Sequence, residues 1–168
     1  NFPEHHHDWV RPGIMLYGST PVIDKSARDL DLQPAMEFSA QIIALQTVNA
    51  GDGIGYGSRW TAGKDTRTAL VSIGYGDGYP RVVSADAYVS VIDDTNNQSY
   101  PCAVIGRVAM DMIVIDVSAV PNSVALNSKV LLWGDAPHVD EVAAHAETIS
   151  YELLCRLSAR PTRNITES

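Results

Sequence analysis

The sequence is poor in three things, each of which would have named a function class. Only two cysteines, Cys102 and Cys155, occur among 168 residues, and no CxxC pair exists. That is too few for a disulfide framework, and no metal-site spacing is present. A reducing, cytoplasmic setting is the simpler expectation. Basic residues are scarce as well: 12 Lys and Arg against 20 Asp and Glu leave a net charge of −8. A nucleic-acid surface needs a basic face, which this balance argues against. Long hydrophobic runs are also missing. None approaches the ~20 residues needed to span a bilayer, so no membrane partner is expected. The start, NFPEHHHDW, has no basic segment followed by an apolar one, so no signal peptide is visible there. The chain opens on Asn rather than Met, which leaves room for residues, and a leader, upstream.

What is present is a folded composition, 45% hydrophobic and 19% charged. The length suits one domain, or one domain with a fragment of another. Residues 19–35 are polar and Pro-bearing, a linker composition, so the expected division is 1–35 and 36–168. Before the linker, DWVRPGIMLYG (8–18) reads as a short apolar strand interrupted by Pro12 and Gly13. After it, strand-like runs occupy 36–48, 66–74, 87–92, 100–106, 112–117 and 128–134, punctuated by Gly, Pro and Asn. That pattern predicts a mostly β fold, a sandwich or barrel. The polar stretch DDTNNQSY (93–100) reads as a surface loop. Residues 138–160 lack Gly and Pro, and Val142, Ala146, Ile149, Leu153 and Leu157 recur at helical spacing. One or two helices therefore close the domain, with Asp140 a candidate cap.

One phrase occurs twice: Ile-Gly-Tyr-Gly at 54–57 and again at 73–76. On local grounds Tyr56 is a tyrosine in a glycine-rich turn. As a catalytic base its phenol, titrating near ~10, needs a cation or relay beside it, and Arg59 and Arg67 are near in sequence. Tyr75 leads into GDGYPR, which reads either as a turn or as a loop where Tyr75, Tyr79 and Arg81 line an opening for a small carboxylate. In GRVAMDM (106–112), Arg107 and Asp111 interrupt an apolar run, as a structural pair or as a site. The run His5–His7 is a weak metal signal, because successive side chains point apart, and no metal is assigned.

Taken in order, DWVRPGIMLYG, IGYGSRW, VSIGYGDGYPR, VIGRVAMDM and TISYELLCRLSARP resemble the C-terminal part of bacterial alanine racemases. The likeness runs from about residue 8 to about residue 163. It implies a homodimer using pyridoxal 5′-phosphate to interconvert L- and D-alanine for peptidoglycan precursors. It also implies that 1–35 holds the last strand of an N-terminal (β/α)₈ barrel, with the β domain after it. The cofactor-bearing lysine of the family lies upstream, so the resemblance makes this chain half an enzyme, inactive alone and without bound cofactor.

Residue by residue, the resemblance makes Tyr56 the catalytic tyrosine, acting across the dimer interface. Met110 matches the position whose backbone N–H holds the substrate carboxylate. Arg11 matches the arginine at the pyridine nitrogen, while Gly13, Ile14 and Tyr151 match groups at the cofactor phosphate. Tyr75, Arg81, Arg107 and Asp111 match residues of the substrate corridor. Three rival readings remain: a broad-specificity or serine-type racemase, a related decarboxylase, and a catalytically silent dimerisation module. A decarboxylase would not need a tyrosine on the second face.

Overall fold

In the computed structural model, which describes residue 4 and residues 7–166, the linker leads into one long strand, β1 (Phe38–Val48). Its first residues, 38–41, pair with β8 (Lys129–Trp133), and residues 42–48 pair with β4 (Thr66–Val71). Register shifts between Phe38 and Ser39 and between Ile42 and Ala44 let one strand serve two neighbours. With β5 (Tyr88–Asp93), β6 (Gln98–Ile105) and β7 (Ile113–Asp116), these strands form a closed antiparallel barrel in the order β1-β4-β7-β6-β5-β8. Closure leaves no unpaired edge in the barrel. Two strands too short to show any alternation, β2 (Gly53–Ile54) and β3 (Trp60–Thr61), form a separate hairpin.

The barrel interior is filled by the inward residues of every strand: Ile42, Ala69, Val71, Val89, Val91, Cys102, Val104, Ile113, Ile115, Val130 and Leu132 are all buried. Phe38 and Trp133 stack at 4.5 Å between ring centroids where β1 meets β8. Helices α1 (Val139–His145) and α2 (Ser150–Arg156) cover the barrel through Val142, Ala143 and Leu153.

Three local expectations change. The stretch 8–18 is not extended: Gly13 takes φ +61°, and Gly13–Tyr17 winds into a 3-10 helix ended by Gly18. Much of 93–100 is strand. Only four residues separate β5 from β6, and the Asp93 carboxylate accepts from Thr95 N, Thr95 Oγ1 and Ser123 Oγ to shape that turn. The cap of α1 is His138: its Nδ1 accepts from the Asp140 amide when the ring is neutral and faces the Asp140 carboxylate, 3.2 Å away, when it is protonated, while Glu141 accepts from His138 N at 2.6 Å. Asp140 sits inside the first turn, free to bind elsewhere.

Candidate functional site

Tyr56 lies at the tip of the β2–β3 hairpin and is 76% exposed. Gly55 and Gly57 on either side hold φ +75° and +74°, conformations that open the turn around the phenol. The hairpin does not float. A Cβ on Gly55 would meet Arg107 N at 3.3 Å, and one on Gly106 would meet the Ile54 side chain at 3.1 Å. Backbone therefore lies on backbone, and the Tyr56 turn is docked on Gly106–Arg107. Arg67 is not its cation: its guanidinium donates to the carbonyls of Val120 (3.1 Å) and Val124 (2.9 Å).

The loop after β4 docks on the same segment. Tyr75 N donates to Ala109 O at 3.0 Å and Gly76 N to Met110 O at 2.9 Å. A side chain on Gly74 would overlap those two carbonyls. The Arg81 guanidinium lies 6.0 Å from the centre of the Tyr75 ring, a cation–π contact. Tyr79 does not line an opening: it is buried in the core, and burial pushes its hydroxyl pKa up. The Met110 N–H has no acceptor among the described residues, although the Met110 carbonyl is taken by Gly76.

Arg107 and Asp111 are both exposed, and Asp111 pairs with a residue that the motif reading missed. Arg160 Nη2 donates to Asp111 Oδ1 at 2.6 Å, and its Nε lies 3.2 Å from Asp77 Oδ1. Asp77 in turn accepts from Gly74 N at 2.9 Å and holds the Tyr75 turn. One arginine thus ties the Tyr75 loop to the Met110 segment. A Cβ on Gly76 would push aside the flexible end of Arg160 and stand 3.0 Å from the Met110 carbonyl oxygen.

The second group of residues lies around an open groove lined by Gly13, Ile14, Tyr17, Tyr151, Asp77 and Arg160 among others. A Cβ on Gly13 would stand 3.1 Å from the Tyr151 hydroxyl. The N–H groups of Gly13 and Ile14 open the 3-10 helix and find no acceptor among the described residues. Two amides and a phenol hydroxyl around a glycine fit a phosphate oxygen cluster. Arg11 is exposed near this group in sequence, and Tyr56 is not part of the groove. His5 and His6 lie outside the described residues.

The family description "Alanine racemase, C-terminal domain" matches residues 35–165. The alanine racemase of Psychrobacter sp. (strain PRwf-1) is 54% identical over 98% of this chain and 45% of its own length. The solved alanine racemase of Acinetobacter baumannii aligns with a TM-score of 0.87 at 51% identity, covering 96% of this chain and 43% of that one. An alanine racemase of Bartonella henselae, solved with covalently bound pyridoxal phosphate, aligns with a TM-score of 0.75 at 27% identity, over 89% of this chain and 39% of that one. The chain spans less than half the length of these relatives. On the profile match and these identities, the chain belongs to the alanine racemase family and corresponds to its C-terminal domain.

Proposed function

We propose that this chain is the β domain of a pyridoxal phosphate-dependent alanine racemase. It works in a homodimer whose upstream barrel carries the cofactor lysine. On this reading 1–35 brings the end of that barrel, and 36–168 supplies the partner-facing residues. The observation that carries the reading is Tyr56: a phenol 76% exposed, held outward by a turn anchored on Gly106–Arg107. A base built this way acts on something outside its own domain.

The cofactor, when bound, draws electron density from the substrate α-carbon and so makes its proton removable. Racemisation then needs a proton taken on one face and returned on the other. Tyr56 serves one face and the upstream lysine the opposite one. The unengaged Met110 N–H suits the substrate carboxylate. Gly13, Ile14 and Tyr151 would hold the phosphate. Arg11 would place a fixed charge at the ring nitrogen and disfavour its protonation. Tyr75, Arg81, Arg107 and Asp111 line the way in, and a corridor narrowed by phenol and guanidinium groups favours a small amino acid.

Mixed dimers test the cross-subunit assignment. Full-length Tyr56→Phe and a full-length variant lacking the cofactor lysine are each expected to be inactive. Unfolded and refolded together, they recover racemisation in the mixed dimer, because one of its two sites is complete. No recovery would mean that Tyr56 acts within its own subunit, and an active Tyr56→Phe homodimer would mean that it does not act at all.

A further inference from the structure

We infer that Asp140 is a positioning residue that sets the phosphate end of the cofactor site, an inference that rests on the cofactor reading above. Its carboxylate gathers groups from three places. Ser19 Oγ and Ser150 Oγ both donate to Oδ1, and Thr20 N donates to Oδ2 at 3.1 Å. His138 Nδ1 lies 3.2 Å from Oδ2. Ser19 is fully buried, at 0% exposure, although it belongs to a stretch whose composition reads as linker. Ser150 directly precedes Tyr151, and Ser19 directly follows Gly18, which ends the 3-10 helix begun by Gly13 and Ile14. One carboxylate therefore fastens together the two chain segments that carry the phosphate-facing groups.

The helix itself does not need this carboxylate. His138 and Glu141 already complete the α1 capping box. What Asp140 adds is the distance between Gly13 and Tyr151, where even a methyl group would stand 3.1 Å from the hydroxyl. Burial raises the cost of the charge, but bonds from His138, Ser150, Ser19 and the Thr20 amide outweigh it, so the carboxylate stays ionised.

The test uses the full-length dimer and two probes, pyridoxal 5′-phosphate and pyridoxal. Hydrogen bonds to a charged group are strong enough that Asp140→Asn should weaken pyridoxal phosphate binding about tenfold to hundredfold. Pyridoxal, which has no phosphate, should lose less than about threefold, so the preference for the phosphate form collapses. At saturating cofactor kcat should stay near the parental value. Asp93→Asn is the control: that carboxylate is bonded by Thr95 and Ser123 at the β5–β6 turn. It should lower the melting temperature and leave both affinities unchanged. Should Asp140→Asn not fold, Ser19→Ala removes one donor and should still weaken the phosphate form about threefold to tenfold relative to pyridoxal. Parental affinities, or equal weakening of both probes, would overturn the inference. A parent that binds no pyridoxal phosphate at all would overturn the cofactor reading, and this inference with it.

Discussion

At the scale of single residues, His138 and Asp140 couple stability to pH. Asp140 raises the pKa of His138 most, against the opposing effect of burial, and the Gly18 carbonyl and Glu141 add to the rise. A raised histidine pKa stabilises the fold below the unfolded value near 6.5, and the contribution fades as pH climbs through the folded value. The lowered Asp140 pKa works in the opposite direction, giving stability above about 3.8 that is lost in stronger acid. Both contributions hold together between about pH 4 and pH 6.5. Thermal melts of the chain across pH should show a decline above about pH 6.5 that is shallower in His138→Gln. Equal slopes in the two proteins would show that the pair does not govern this range. The residue-level errors of sequence reading have one cause. Asp140 reads as a candidate cap, but its carboxylate bonds Ser19, 121 positions away, and Asp111, which reads as a partner of Arg107 or as a site residue, pairs with Arg160, 49 positions away. Pairings at that separation leave no local pattern.

At the scale of elements, the barrel strands were legible because each alternates or runs apolar between turn residues, as in Thr66–Val71 and Tyr88–Asp93. The β2–β3 hairpin was not, since two residues per strand carry no periodicity. The 3-10 helix at Gly13–Tyr17 escaped because its apolar side chains resemble a strand and only the φ +61° at Gly13 turns the chain. The hairpin is also where the family likeness meets a physical dependence. Gly55 has a positive φ and touches the Arg107 backbone, so Gly55→Ala strains the turn and lifts it from its seat. In the full-length enzyme this should cost about fivefold to thirtyfold in kcat, the equivalent of about one to two kcal/mol, through a misplaced phenol. The melting temperature should move little, because the hairpin lies outside the closed barrel. An unchanged kcat would mean that the docking of the turn does not place Tyr56.

At the scale of the whole molecule, the chain has a closed core and, between residues 9 and 23, several large apolar side chains left exposed. Trp9 is 92% exposed and Ile23 fully so, and Val10 and Leu16 are exposed as well. Apolar surface of this kind is suited to burial against another chain. In the proposed enzyme the upstream barrel and the partner cover it. The chain alone should therefore self-associate, with an apparent mass that rises with concentration in light scattering. A strictly monomeric species at all concentrations would count against a covered face. No described helix is long and apolar enough to cross a membrane.

On the proposed function, Tyr56 moves a proton on one face of the substrate. The direct measurement is α-proton exchange of L- and D-alanine in D₂O by the full-length enzyme with pyridoxal phosphate, parent against Tyr56→Phe. The parent should exchange both enantiomers, and the variant should lose exchange mainly from one. Parental exchange of both enantiomers by Tyr56→Phe would make the tyrosine a packing residue and contradict the account.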